Sequence, residues 1–203
     1  QYSHPSLHSP IGSHLKAEPL RILLLIAALG LANVHLQAQG HWATRVGAWS
    51  NDAFNDVAID AQGDLYVTGE FGGNIELGGG VTLISQGSLD ILVAKYSPTG
   101  ALIWMRTFGG SGLDRGIKLA LADDGTMVVT GQFMGSVPIG GTTLVSLGGT
   151  QDMFVMKLAQ NNGAVQWVRQ GGSPDGVDQP NGVSIGPDGS VAVAGEFRIR
   201  CGF

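Results

Sequence analysis

The sequence predicts an all-β chain assembled from a repeated four-stranded antiparallel unit, and three observations carry that prediction. Turn glycines recur in one frame: Gly63, Gly125 and Gly189 are separated by 62 and 64 residues. Gly69-Glu70-Phe71, Gly131-Gln132-Phe133 and Gly195-Glu196-Phe197 follow with the same two steps. Trp42, Trp104 and Trp167 step by 62 and 63, and Asp90 with Lys95 returns 62 residues later as Asp152 with Lys157. Self-similarity at a fixed period marks architectures in which each unit buries its apolar surface against the next.

Each unit reads as strands in a constant order. Residues 57–60 make a short first strand, and 61–64 a tight turn with glycine where a positive φ is needed. Residues 65–71 form a second strand with Leu65, Val67 and Phe71 on one face. Residues 91–96 form a third strand. Residues 97–100 are a turn, with Pro98 preset for its early position and Gly100 for its end. Residues 101–108 form a fourth strand. These strands are apolar on both faces, which suits a sheet covered on both sides. The second unit repeats the order at 119–121, 126–133, 153–158 and 164–169. Between the second and third strands, the Gly-rich stretches 72–87 and 134–148 carry short apolar runs around a double glycine. A small projecting hairpin is expected there, with an ordered loop as the alternative.

Four antiparallel strands per repeat describe one blade of a β-propeller. The expected fold is therefore an incomplete β-propeller of four-stranded antiparallel blades with a repeat of about 62 residues. The period exceeds the roughly 40–50 residues of WD or kelch blades, and the extra hairpin accounts for the difference. The rivals are a β-solenoid, whose coils are shorter, and a β-sandwich, which would not repeat a tryptophan so regularly. The expected boundaries are a leader and signal peptide at 1–38 and a partial propeller at 39–203. The latter divides into a closing strand at 42–47, a first blade at about 53–108, a second at about 115–170 and a half blade at about 178–197. A closed ring needs about four to eight blades. With Gln1 at the start and Met105 as the first methionine, the chain reads as a fragment.

The residues also carry a family resemblance. Gly109-Gly-Ser-Gly-Leu-Asp114, the strand 121–131 with its Asp-Gly-Thr turn, Asp152-Met-Phe-Val-Met-Lys157 and Gly163-Ala-Val-Gln-Trp167 occur in order. This succession, over about residues 42–197, resembles the bacterial seven-bladed-propeller-type repeat often called SBBP. The resemblance implies a secreted or cell-surface protein of a Gram-negative bacterium, in a family whose molecular functions are poorly defined. The Gly-x-x-x-Trp piece is also similar to the repeats of quinone-cofactor dehydrogenases. Their blades are shorter, and none of their cofactor-site residues occurs here.

The one long apolar run, 20–34, follows Lys16, contains Arg21 and ends near the small residue Ala38. That is the shape of a secretory signal helix, with cleavage expected near Ala38. Its uninterrupted core falls short of the ~20 residues that span a bilayer, so no stable membrane span is expected after cleavage. Lys16, Arg21 and Glu18 lie in the leader, leaving 9 basic and 15 acidic residues, net −6. Nucleic-acid binding leaves a basic footprint, so no nucleic acid is expected as a partner. The lone cysteine, Cys201, excludes an intrachain disulfide.

All five histidines, His4, His8, His14, His35 and His41, precede the repeats. That removes the commonest general base and metal ligand from the repeated part. Neither a zinc-ligand spacing nor a Gly-x-Ser-x-Gly elbow or phosphate loop occurs. The remaining candidates sit in loops between units: Asp52 and Asp56, Asp114 and Arg115, Asp175 and Asp178. Clustered loop carboxylates suit Ca²⁺, but the EF-hand pattern is absent. Each aspartate is expected to cap its own turn through backbone N–H groups. No catalytic residue, metal site or cofactor is expected. Lys95 and Lys157 read as edge pairs with Asp90 and Asp152. The favoured function is a structural or interaction module with a protein or glycan partner. The alternative is a carbohydrate-active enzyme using loop carboxylates.

Overall fold

The computed structural model describes residues 51–76 and 82–198. The expected leader, signal helix and closing strand at 42–47, including Trp42, lie outside the described residues. The described residues are all-β, with no helix, and hence none long and apolar enough to cross a membrane.

The first sheet contains β1 (Ala53–Ile59), β2 (Leu65–Phe71), β5 (Asp90–Tyr96) and β6 (Leu102–Phe108), in that spatial order. The second contains β7 (Arg115–Leu121), β8 (Thr126–Phe133), β11 (Asp152–Ala159) and β12 (Val165–Gly171), in the same order. A third pairs β13 (Gln179–Ile185) with β14 (Val191–Glu196). Every pairing in these sheets is antiparallel. Two hairpins, β3 (Asn74–Glu76) with β4 (Thr82–Ile84) and β9 (Ser136–Ile139) with β10 (Thr142–Val145), sit between the second and third strands.

The strands β2 and β8 have the bounds that their alternation predicts. The first strands of the units are longer than expected, because a bulge falls inside each of them. Register slips between Phe54 and Asp56, between Gly116 and Lys118, and between Pro180 and Gly182. A bulge breaks the period of two, so the polar N-terminal halves of these strands do not read as strand.

The bulges explain the glycine of the Gly-Glu/Gln-Phe motif. A Cβ on Gly69 would lie 1.8 Å from the Ala53 carbonyl oxygen, one on Gly131 1.8 Å from that of Arg115, and one on Gly195 2.3 Å from that of Gln179. Only a residue without a side chain lets the second strand approach the bulged first strand so closely. The turn glycines have a different reason: Gly63, Gly125 and Gly189 adopt φ of 84°, 78° and 80°.

The hairpins do not project freely. Val137, Ile139 and Leu144 are buried in the main core, and β9 and β10 lie against β6 and β12. Their alternating apolar residues need cover, and folding back supplies it. In the same way Ile75 packs with Phe71, Leu92 and Leu83 under the first hairpin.

Consecutive sheets pack on one another. Tyr66, Ile91, Val93 and Trp104 of the first sheet share one core with Leu119, Met127, Phe154 and Met156 of the second. All eight residues of β8 are buried, as expected for a strand covered on both faces. On β1, Ala58 faces that shared core while Val57 and Ile59 are exposed. Trp104 and Trp167 occupy the same stage of their sheets, opposite Lys95 and Lys157. Trp104 is 8 % exposed, its Nε1 donates to the Gln160 carbonyl at 2.9 Å, and its ring leaves Gly163 no room for a Cβ. It joins the outer strand of one sheet to a turn of the next. Truncating a buried tryptophan of this kind costs about 3–5 kcal/mol.

These contacts separate two kinds of glycine. Gly131→Ala forces a methyl into the Arg115 carbonyl and the Phe154 ring, and is expected to cost about 3 kcal/mol in denaturant unfolding, at the upper end for overpacking. Gly125→Ala meets no atom within 4 Å and bears only the left-handed strain, about 1–2 kcal/mol. Equal losses at the two positions would contradict the register.

Candidate functional site

The predicted aspartates divide into buried struts and surface groups. Asp114 and Asp178 are fully buried, at 0 % exposure. The Asp114 carboxylate accepts N–H from Gly110 at 2.8 Å and from Met134 at 3.1 Å. Its own N–H donates to the carbonyl of Leu89, the residue before β5 of the first sheet, at 2.9 Å. Asp178 repeats the arrangement with Ser173 at 2.7 Å, Arg198 at 3.0 Å and the Gln151 carbonyl at 2.9 Å. Asp52 accepts from Gly72 at 3.0 Å. In all three cases one acceptor bond reaches 20 residues ahead, to the end of the second strand. The capping is therefore long-range as well as local.

A second carboxylate stands beside each strut. Asp90 accepts from Gln86 at 3.0 Å and Asp152 from Leu147 at 3.0 Å. The Oδ1 atom of each is buried without a hydrogen-bond partner among the described residues. Gly109 and Gly172 abut these carboxylates so closely that a Cβ would lie 2.3 and 2.5 Å from the respective Oδ1. Burial raises the Asp90 and Asp152 carboxyls above the ordinary range. Burial pushes Asp114 up to about 6, against its two N–H bonds and with a further push from the charge of Asp90.

The expected pairing of Asp90 with Lys95 is corrected. Five residues along a strand separate side chains by about 16 Å and place them on opposite faces. Lys95 instead meets Asp64 at 2.8 Å and Asp60 at 3.7 Å, and Lys157 meets Asp124 at 3.4 Å. These pairs tie the third strand to the turn between the first two.

The other predicted residues scatter. Asp56 accepts from Leu119 N–H at 3.0 Å and so links β1 to β7. Asp175 is exposed in its loop. Arg115, at the start of β7, lies in a cleft of about 290 Å³ lined by Asn55, Glu70, Ile117, Lys118, Gln132 and Gln179. The cleft draws on all three sheets, at the beginnings of the first strands and the ends of the second. It brings none of the predicted aspartates together. Among the described residues, no three His, Cys, Asp or Glu side chains converge as a metal site would require.

Bulge geometry builds the cleft. Asn55, the bulged residue of β1, donates from Nδ2 to the Gly116 carbonyl at 2.8 Å and to the Glu70 carboxylate. Burial raises the Glu70 carboxyl, opposed by the Asn55 bond and the charge of Arg115. Gln132, 2 % exposed, donates to the Asp178 carbonyl at 3.0 Å. Sequence reasoning missed Glu70 and Gln132. The signal was the polar middle residue of a motif otherwise made of glycine and phenylalanine in a buried strand. A second cleft of about 370 Å³ lies at the opposite ends of β7 and β13, between Leu121, Asp123, Asp124, Ile185 and Pro187. Its two carboxylates are chain neighbours in one turn, and Asp124 is held by Thr126 and Lys157.

No family model matches the chain. It is 25 % identical over 157 residues to an uncharacterized WD repeat-containing protein of Acanthamoeba polyphaga mimivirus. The match covers 70 % of this chain and 11 % of that protein. The likeness agrees with a β-sheet repeat protein of propeller type.

The raised carboxyls of Asp114, Asp90 and Asp152 set a pH dependence. Asp114 has a folded value of about 6 against an ordinary 3.8, so the folded state binds its proton more tightly. Its contribution is fully favourable below the unfolded value and is lost as pH rises through the folded one. Asp90 and Asp152 act in the same direction. Stability from urea unfolding is expected to rise when the pH is lowered from about 7 to about 5, and Asp114→Asn is expected to shrink that rise. An unchanged pH slope in Asp114→Asn would show that this carboxyl titrates normally.

Proposed function

We propose that the four-stranded sheets are successive blades of a β-propeller of the SBBP type, and that the chain works as an interaction module binding a protein or glycan at the Arg115 cleft. The observation that carries this reading is the cleft itself: polar side chains from three sheets converge at one end of the first strands. Those strands are fixed by bulges, by the Asp114 and Asp178 struts and by the Trp104 contact. A rigid scaffold with variable polar positions at one rim is the usual way in which a repeat fold carries recognition. The likeness to a WD repeat-containing protein supports the propeller, because repeats of that class are four-stranded blades around a channel. In this arrangement β1, β7 and β13 are the inner strands, which agrees with the contacts of β7 with both β1 and β13. The apolar run at 20–34 supports export, and in this reading the module is secreted or held at the cell surface of a Gram-negative bacterium.

The test is ligand mapping. Panels of neutral oligosaccharides, acidic oligosaccharides and peptides are titrated into the isotope-labelled protein. Ligands that bind are expected to shift the amides of residues 55, 70, 115–118, 132 and 179 together. Ligands that perturb only other surfaces, or no ligand at all, would remove the cleft as the binding face.

A further inference from the structure

The Arg115 cleft gathers two cations, Arg115 and Lys118, on an acidic chain. The chain has a formal net charge of −5. Ion pairs among the described residues engage Lys95 and Lys157 with aspartates, and none engages Arg115 or Lys118. Both of these cations line the cleft. The Nε atom of Arg115 is buried and has no hydrogen-bond partner among the described residues. The residue as a whole is half-buried and lines the cleft, so the guanidinium can take an acceptor from outside. Glu70 supplies a charge nearby but no ion pair, and its carboxylate is engaged by Asn55.

The amides of the wall add a second requirement. Asn55 uses both of its amide N–H groups on Gly116 and Glu70, and Gln132 and Gln179 each use one, on Asp178 and Asn181. The amide oxygens and the remaining lone pairs of Glu70 are the acceptors a ligand meets there. Ile117 is the one apolar residue of the wall. A ligand that satisfies both halves presents one carboxylate to Arg115 and Lys118 and several hydroxyl donors to the oxygens. An acidic peptide brings the carboxylate but few hydroxyls, and its apolar side chains would find one isoleucine. A neutral sugar brings hydroxyls and leaves the two cations unpaired.

Resting on the cleft-binding reading above, we propose that this cleft is a site for an acidic sugar, a uronate unit whose carboxylate is held by Arg115 and Lys118. The cleft volume of about 290 Å³ suits one or two sugar rings and not an extended polymer surface. Guanidinium–carboxylate pairs are bidentate and directional, so the carboxylate sets the orientation of the ring.

The test titrates the full chain with trigalacturonate, with its methyl ester and with tetraglutamate, by calorimetry and by amide shifts. Trigalacturonate is expected to bind at the cleft, and esterification of its carboxylates to weaken binding at least tenfold. Arg115→Gln is expected to weaken trigalacturonate at least tenfold while leaving ester binding within about threefold. Lys118→Gln gives a smaller loss and guards against a folding defect at Arg115, as does an unchanged melting temperature. Equal affinity for the ester, or binding of tetraglutamate in place of the uronate, would overturn the proposal while leaving a ligand-binding cleft in place. Absence of any cleft shift with all three probes and with the neutral sugars would overturn both.

Discussion

The structure depends on one repeated interaction, the buried aspartate that opens the second and third units. Asp114 holds the first sheet through its N–H, its preceding loop through Gly110, and the far end of β8 through Met134. Three segments distant in sequence are fixed by one residue. A carboxylate is suited to this because its two oxygens accept from separate N–H groups that lie outside any strand ladder. The cost is desolvation, visible in the raised Asp114 carboxyl. Asp178 repeats the same hydrogen bonding at the next junction.

Once the junction is fixed, the remaining features follow. The first strand must pass close to the second, which requires glycine at 69, 131 and 195. The close pass bulges the first strand, and the bulge turns Asn55 toward Glu70 and the Gly116 carbonyl. The same geometry brings Arg115 and Gln179 to one rim with Gln132. Recognition and architecture therefore share residues: Gln132 lines the cleft and also holds the Asp178 carbonyl.

Much of this was legible in residue spacing. The period located both complete sheets, and alternation placed β2 and β8. The bulged starts of β1 and β7 were not legible, because a bulge removes the alternation on which the reading depends. The hairpins were expected to project, yet Val137, Ile139 and Leu144 alternate and so demanded a covered face. Asp90 and Lys95 recur together, but recurrence reports shared position in a repeat and not contact. Of the cleft, Arg115 was found through its loop, whereas Glu70 and Gln132 were read as strand filling. Convergence across three sheets depends on how the sheets pack, which no single-unit pattern encodes.

The buried aspartates Asp114 and Asp178 clamp loop amides as firmly as a strand ladder would. Native-state hydrogen exchange reads it directly at the Gly110 and Met134 amides, which lie outside the strands and have the Asp114 carboxylate as acceptor. These two amides are expected to exchange as slowly as those of β8, opening only with the whole sheet pair. Exchange at the rate of an exposed loop would contradict it.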